Sequence, residues 1–372
     1  MIWTFNRRLR MEAAMGAADH VFTAHEMMAM EHALVLAGQG VRGANPLVGA
    51  VIIDDDGAMV ATGAHLGAGT DHAEVAALKS AVLQGVDPAG CTMVVTLEPC
   101  NHTGRTGPCT EAILAAGITR VVYAASDPNP DAAGGARVLA GRGIEVAGGL
   151  LADAATELNR RWLAALQDQR PFVTVKVAQS LDAQSAAADG SSQWITGPHA
   201  RADGHTIRTR VDAVLVGTGT ILTDDPRLTA RALDGSDADR QPLRVAVGLR
   251  PIPEEAAMRG NGFVHLQTHD PAAALTELYR RGVRHVLVEG GPQLVGVFLM
   301  ADLADELFAY VAPMLLGAGV PAFQRLGVAT LTDAHVWRLD PDGAASVTQL
   351  GDDVRLHLKP IAPAPASMKK GR

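Results

Sequence analysis

The stretch DHAEVAALKSAV (residues 71–82), followed after an apolar run by TLEPCNHTGRTGPC (residues 96–109), decides how this chain is to be read. His72, Cys100 and Cys109 supply one nitrogen and two sulfurs, a borderline-soft donor set that suits Zn2+. Three protein ligands leave the fourth tetrahedral position to water, the mark of a catalytic rather than a structural zinc. Glu74, two residues past the histidine, is placed to handle the protons of that water. Histidine, glutamate, a Pro-Cys pair and a second cysteine stand in the order that such chemistry needs, so a coincidence of unrelated residues is the weaker explanation.

Outward from this stretch the chain alternates strands and helices. Residues 23–37 (TAHEMMAMEHALVLA) carry apolar side chains at helical spacing. Asn45-Pro46 breaks the chain before GAVIID, a buried strand that ends in the Asp56-Gly57 turn, and VATGAH reads as its hairpin partner. Thr70 or Asp71 is expected to cap a helix over 73–83. TMVVTL is a second buried strand, stopped by Pro99; residues 110–116 read as helix, 120–125 as strand and 132–140 as helix before IEVAGG. This rhythm implies a layered sheet with helices on both faces. His72 sits at one helix start and Cys109 at another, where partial positive charge favours thiolates.

Residues 151–167 read as a helical connector that ends at Arg170-Pro171. A second α/β unit follows through FVTVKVA, a helix around 199–210, DAVLVG, RVAV, FVHL, HVLVEGG and a last strand near VRLHLK. For 372 residues two domains are the natural expectation. They are drawn as a disordered extension over 1–22, a first domain over 23–149, a linker over 150–170, a second domain over 171–360 and a Pro/Ala-rich disordered tail over 361–372.

Composition narrows the class. Hydrophobic residues make up 48% of the chain and aromatics 4%, with 39 glycines, which suits an α/β protein with ample core. No apolar run approaches the roughly 18 residues of a membrane span. The first residues, MIWTFNRRLRMEAAMG, carry arginines without the apolar centre of a secretory signal. A formal charge of −8 argues against a large nucleic-acid surface. Two of the three cysteines fall in the metal motif, so Cys91 has no disulfide partner; it reads as a small buried hydrophobe in a reducing, cytoplasmic setting.

The order H-x-E…P-C…C is the signature of zinc deaminases of nucleobases, in which the glutamate moves protons and does not ligate. Hydroxide formed near neutral pH would attack a ring carbon bearing an exocyclic amine. Glu74 would take the water's proton, pass it to a ring nitrogen and protonate the departing ammonia. Polynucleotide and nucleoside deaminases usually carry PCxxC, whereas eight residues separate Cys100 from Cys109 here. Together with NPLVGAV, GAH, HAEVAAL, TLEPCNHTGRTGPC and DPNP, that spacing resembles the deaminase half of the bifunctional riboflavin-biosynthesis deaminase/reductase family, over residues 23–149. The resemblance implies a cytidine-deaminase-like three-layer α/β/α domain. It implies as substrate a diaminopyrimidinone ribosylamine 5′-phosphate whose ring amine is hydrolysed. It also implies substrate contacts from Asn45, His65, His102, Arg105, Asp127 and Asn129, the Arg105 fork being matched to the phosphate. Gly107 stands where the family usually has proline, which loosens the loop before Cys109.

Residue by residue the second half is less explicit. Gly217–Gly219 follows a strand and Gly290-Gly291 ends another before Pro292, places where backbone N–H groups approach a pyrophosphate. A full GxGxxG is absent, and ordinary strand-end glycines explain the pattern equally well. RPFVTVKVAQSLDAQSA, GSSQWITG, RTRVDAVLVGTGTILTDDPRLTAR, VLVEGG and VAPMLLG resemble the same family's reductase half over most of 171–320. That resemblance implies a dihydrofolate-reductase-like α/β domain using NADPH to deliver hydride to C1 of the ring-opened ribose. The cofactor positions it carries over are Ala178, Trp194, Thr220, Asp224 and the run Gly291, Pro292, Gln293, Leu294, Val295, Gly296 and Val297. The substrate positions are Ser192, Arg208, Leu228, Arg231 and Glu289. Arg208 and Arg231 are expected to clamp a phosphate, Trp194 to offer a flat face beside the nicotinamide, and Lys176 to polarise the sugar carbonyl or its Schiff-base form.

Two departures stand out. Ala183 occupies a position where the family commonly has glycine, adding a Cβ beside the expected cofactor. RVAVGLRPIP is shortened in a loop that bears on the cofactor's 2′-phosphate. A deaminase whose second half has lost reduction is therefore the main alternative. A nucleic-acid-editing protein is the alternative from another class, opposed by the acidic charge and the cysteine spacing. The expected partners are phosphorylated pyrimidine–ribose small molecules and a second copy of the chain in a homodimer or higher homo-oligomer, with no nucleic acid and no membrane.

Overall fold

The computed structural model describes residues 22–361 except 42, 68, 103–106, 130–132, 233 and 341–344. The expected disorder of the extension before Phe22 and of the tail beyond Ile361 therefore concerns residues outside those described. The chain divides into two compact units between Gln167 and Asp168.

In the first unit the order is α1 (Ala24–Ala37), β1 (Gly49–Ile53), β2 (Met59–Ala64), α2 (Ala73–Leu83), β3 (Thr92–Leu97), α3 (Cys109–Ala115), β4 (Arg120–Ala125), α4 (Gly135–Gly141), β5 (Glu145–Gly148) and α5 (Ala152–Asp168). The sheet runs β2-β1-β3-β4-β5, with β1 antiparallel to both neighbours and β3, β4 and β5 mutually parallel. Alternation along the strands builds a core on each face. Val51, Ile53 and Val94 pack with Ala29, Met30 and Ala33 of α1 and Ala155 of α5. Ala50, Ile52, Met93 and Val95 pack with Ala73 and Ala77 of α2, Ile113 of α3 and Leu139 of α4. Each large apolar side chain so buried contributes about 1.5–3 kcal/mol, and the result is a three-layer α/β/α unit.

Local sequence fixes how the helices sit. Thr23 and Glu26 close α1 in a reciprocal capping box: Thr23 Oγ1 accepts from the Glu26 N–H at 3.1 Å and Glu26 Oε2 accepts from the Thr23 N–H at 2.8 Å. Gly63 of β2 lies directly beneath α2, where an added Cβ would stand 2.3 Å from both Ala73 O and Ala77 N. The sequence points to Thr70 or Asp71 as the cap of α2, but the cap position is His72, whose ring makes no capping bond and turns to the cysteines instead. Helix α5, read from the sequence as a connector, packs on the first unit: the Asn159 side chain accepts from the Leu47 N–H at 2.8 Å and donates to the Leu47 carbonyl at 2.9 Å.

The second unit contains β6 (Phe172–Ser180), β7 (Gln184–Ala186), α6 (Pro198–Arg208), β8 (Ala213–Gly217), α7 (Thr218–Asp224), β9 (Leu243–Val247), β10 (Phe263–Leu266), α8 (Pro271–Arg280), β11 (His285–Val288), α9 (Pro292–Met300), β12 (Glu306–Ala312), β13 (Val320–Pro321), β14 (Trp337–Leu339), β15 (Val347–Leu350) and β16 (Asp353–Pro360). Its large sheet runs β10-β9-β8-β11-β6-β12-β16-β14, with β15 also paired to β16. The strands from β10 to β12 are parallel, so their carboxyl ends share one edge. Strand β12 and the edge strands β14 and β15 are additions to the sequence reading.

Ala183 sits in the turn between β6 and β7 with φ +60°, donating its N–H to Ser180 O at 3.0 Å. The family's glycine is thus explained by backbone conformation. The expected Cβ beside the cofactor is not found, because Ala183 is absent from the lining of the unit's large cavity. Replacing Ala183 with glycine should relieve about 1 kcal/mol of left-handed strain, seen as a higher melting temperature of the full chain.

Candidate active sites

The start of α2 and the start of α3 meet at the carboxyl end of β3. His72 Nδ1 lies 3.3 Å from Cys109 Sγ and 3.4 Å from Cys100 Sγ, and the three donor atoms fall within 4.8 Å of one another. Zinc–nitrogen and zinc–sulfur bonds at the tetrahedral angle set such donors about 3.5 Å apart, so the residues present fit this ion. Both cysteines are buried. The Cys100 thiol is pushed down to about 4 by the hydrogen bond from Cys109, with a further contribution from His72, and Cys109 is held up by that same bond. A metal ion binds both sulfurs as thiolates. Glu74, on the first turn of α2, is only 4% exposed, and burial pushes its carboxyl up to about 7.

His72, Glu74 and Cys100 line a cavity of about 160 Å³ that also gathers Asn45, His65, His102, Asp127 and Asn129. Asn45 Nδ2 donates to His65 Nε2 at 2.9 Å, and His65 Nδ1 donates to the Asp71 carbonyl at 3.0 Å. Those two bonds select one neutral tautomer, and burial lowers the pKa of His65 accordingly. Asp127 Oδ1 accepts from the Asn129 N–H at 2.9 Å. Among the described residues, His102 Nδ1 is buried with no hydrogen-bond partner. Arg105 lies outside the described residues.

Two further side chains escape the sequence reading. Glu98, inside the TLEPC motif, accepts from Gly134 N and Ala136 N at 3.1 Å and from Asp127 N at 3.3 Å, tying the 126–136 segment to the end of β3. Trp162 of α5 lines the cavity and donates its indole N–H to Ala44 O at 3.0 Å. With Asn159 it holds the Ala44–Leu47 segment that carries Asn45.

A second cavity, about 600 Å³, lies at the carboxyl ends of β6, β8 and β11. It brings together Lys176, Ala178, Ser192, Trp194, Arg208, Thr220, Asp224, Glu289, Gly291, Pro292 and Val295. Four of the expected cofactor positions, Gln293, Leu294, Gly296 and Val297, are not in the lining. Gly296 is there for packing, since an added Cβ would stand 2.0 Å from Gln324 O. Leu228 is 5% exposed in an apolar cluster with Val211 and Ile221, and Arg231 is exposed; neither lines the cavity. Trp194 is 68% exposed, so it is not a core residue.

Of the expected phosphate clamp, Arg208 is bonded within the protein. Arg208 Nε and Nη2 donate to Glu289 Oε1 and Oε2 at 2.6 and 2.9 Å, and Nη1 donates to Thr229 O at 2.9 Å, so the fork is already engaged. Lys176 Nζ stands 3.9 Å from Glu289 Oε2. Burial alone would raise Glu289, but Arg208 and Lys176 outweigh it and hold the carboxyl at about 2. Burial lowers Lys176, with Glu289 opposing. Arg201 and His205 join Arg208 on the cavity side of α6, at helical spacing that could have flagged them. The Arg201 guanidinium lies 4.5 Å over the Trp194 ring. Glycines at the ends of β8 and β11, with Gly291 N–H on Thr220 Oγ1 at 3.3 Å, give the bare backbone edge that a dinucleotide needs.

Removing the α5 clamp separates frame from chemistry. Asn159→Ala leaves both Leu47 backbone groups buried without partners, so unfolding by urea should show a loss of about 2–3 kcal/mol, while zinc content stays unchanged.

Residues 23–125 match the cytidine and deoxycytidylate deaminase zinc-binding region, and residues 171–344 match the RibD C-terminal domain. The riboflavin biosynthesis protein RibD of Mycobacterium tuberculosis (strain ATCC 25618 / H37Rv) is 47% identical over 335 residues, which cover 89% of this chain and 95% of that protein. The structure of Acinetobacter baumannii RibD, form 1, is similar with a TM-score of 0.82 at 36% identity, covering 91% of this chain and 99% of its own. The Thermotoga maritima diaminohydroxyphosphoribosylaminopyrimidine deaminase/5-amino-6-(5-phosphoribosylamino)uracil reductase gives 0.78 at 32% identity, with the same coverage of 91% and 99%. Both halves are matched, in order and over nearly the full length of these relatives: the chain belongs to the RibD family of riboflavin-biosynthesis proteins.

Proposed function

We propose that the chain performs two consecutive steps of riboflavin biosynthesis, one in each unit. The first is zinc-dependent hydrolytic deamination of 2,5-diamino-6-(5-phosphoribosylamino)pyrimidin-4(3H)-one. The second is NADPH-dependent reduction of the ribosyl group of 5-amino-6-(5-phosphoribosylamino)uracil to ribityl. The observation that carries the reading is the convergence of His72, Cys100 and Cys109 beside a buried Glu74 that opens into the same cavity.

His72 and the sulfurs of Cys100 and Cys109 would hold Zn2+, which would supply the Lewis acidity that makes water nucleophilic near neutral pH. Glu74 accepts a proton as the water oxygen bonds to the amine-bearing ring carbon, and delivers it to the adjacent ring nitrogen. It then takes the proton of the new hydroxyl and gives it to the amine, which leaves as ammonia as the carbonyl forms. Asn45, His65, His102, Asp127 and Asn129 orient the ring, and Arg105 is assigned to the phosphate.

In the second unit, the cavity lined by Ala178, Trp194, Thr220 and Gly291 would hold NADPH, which would supply the hydride for reduction at C1 of the open-chain sugar. Lys176 donates a hydrogen bond to the nitrogen or oxygen at C1 and stabilises the charge that gathers there. Glu289 positions Lys176 and Arg208 together, and Trp194 shields one face of the reacting groups. A cytoplasmic homo-oligomer fits the unpaired Cys91 and the family; no helix of the described residues is long and apolar enough to cross a membrane.

Chromatography of the products formed from the diaminopyrimidinone substrate, with and without NADPH, tests both steps: ammonia and the uracil without it, the ribityl product with it. Glu74→Gln should retain zinc yet lose deamination by about 10²–10⁴-fold; full turnover would remove Glu74 from its role. Lys176 is cationic below its pKa, which Glu289 raises and burial lowers. Glu289→Gln should therefore move the alkaline limit of NADPH oxidation to lower pH, and an unmoved limit would show that the Lys176 charge is not required.

A further inference from the structure

We infer that Tyr310 of β12 is a positioning residue for Lys176: its ring supports the ammonium alongside Glu289, and Asp203 with Arg355 fixes that ring. Strands β6 and β12 are parallel neighbours, with Lys176 level with Phe308 and Ala178 level with Tyr310. Residues two apart on a strand share a face, so these four side chains stand on one side of the sheet. Helix α6 covers that side, since Ala178, Phe308 and Tyr310 pack with its Ala200 and Ile207. Ala178 ends at its Cβ, which lets the larger ring opposite it reach toward Lys176. Lys176 Nζ lies over the Tyr310 ring, 5.5 Å from its centroid. Where the helix passes the lysine it presents Gly204, on which an added Cβ would stand 4.0 Å from Lys176 Cε.

The ring is held from two sides. Tyr310 is fully buried, and its hydroxyl donates to Asp203 Oδ2 at 2.6 Å. Asp203 also accepts from Arg355 Nη1, at 2.8 Å on each oxygen. Arg355 stands level with Tyr310 on β16, and its Nη2 donates to Thr348 Oγ1 at 3.0 Å. One carboxylate thus ties the ring of β12 to α6 and to β16. An aromatic face attracts a cation, most strongly away from water, whereas burial alone disfavours the ammonium. The other charged groups that bear on Lys176 are Glu289 at 3.9 Å and, from α6, Arg208 and Asp203, which act in opposite senses. His205 of α6 lines the same cavity. Glu289 is shared with the Arg208 fork and Asp203 with Arg355. The Tyr310 ring adds a contact that favours the cation without dividing a charge.

The inference rests on the reading of the second cavity as the reductase site, and direct titration of Lys176 separates the two. The lysines are few (Lys79, Lys176, Lys359, Lys369 and Lys370), so isotope-labelled lysine in the full chain gives a small set of side-chain resonances, and Lys176→Arg assigns one of them. The native protein, Tyr310→Phe and Tyr310→Leu are titrated by NMR, and the alkaline limit of NADPH oxidation is recorded for each. Because the ring stabilises the ammonium, its loss lowers the pH at which Lys176 gives up its proton. Tyr310→Leu should move that titration about one pH unit lower. Tyr310→Phe keeps the ring and loses only the bond to Asp203, so it should titrate as the native protein does. In the native protein the ring should also shift the ε-methylene protons of Lys176 upfield of those of the other lysines. An unmoved titration in a folded Tyr310→Leu overturns the proposal, and so does an equal fall in both variants. If the titration moves and the limit of NADPH oxidation does not, Tyr310 positions the lysine as inferred, and the reading of Lys176 as the required cation fails. Should Tyr310→Leu not fold, the native ε-methylene protons decide: a position among those of the other lysines would overturn the proposal.

Discussion

Two buried thiols and an imidazole cannot converge without help, because charge in a low-dielectric interior is costly unless a partner compensates it. The first unit is built around that constraint. His72 makes no capping bond for α2 and Cys109 opens α3, so two ligands stand at helix starts, where partial positive charge favours thiolates. Pro99 ends β3 just before Cys100, placing the third donor at the strand's carboxyl end. Glu98, beside it, spends its oxygens on backbone amides of the 126–136 segment. The metal ligands and the walls of the substrate cavity are therefore fastened to one strand end.

The second unit solves a similar difficulty with protein charges alone. Glu289 is shared between the Arg208 fork and the Lys176 ammonium, a buried anion flanked by two cations. The arrangement leaves one net positive charge in the cavity, suited to a phosphorylated substrate. Arg201, stacked on Trp194, extends the same positive face outward. All three donating arms of Arg208 are bonded within the protein, two to Glu289 and one to Thr229.

The metal site was legible because its chemistry requires particular residue types in a fixed order, and HAE with two spaced cysteines satisfies that order. The buried strands of the first unit were legible because continuous apolar runs bounded by Gly, Pro and Asp have few other readings. Strands β14 and β15 were not: WRL and VTQL are short, mixed edge strands whose pairing is decided by β16 rather than by their own pattern. Nor could periodicity show that Asn159 grips Leu47, or that Arg208 is consumed by Glu289, since both pairings cross long sequence separations. Nor does a motif show that Leu228 packs in an apolar cluster while Arg231 is exposed.

Gly63 gives the first unit a property that its catalytic residues do not reveal. Because α2 rests on bare backbone at that point, the height of the histidine ligand above the sheet is fixed by a carbon that is missing. Any side chain there would lift the helix and withdraw one corner of the coordination sphere. Architecture and chemistry in this domain can therefore not drift apart gradually. The segments around Asn45, His102 and Asp127 shape the ring pocket without resting on that contact.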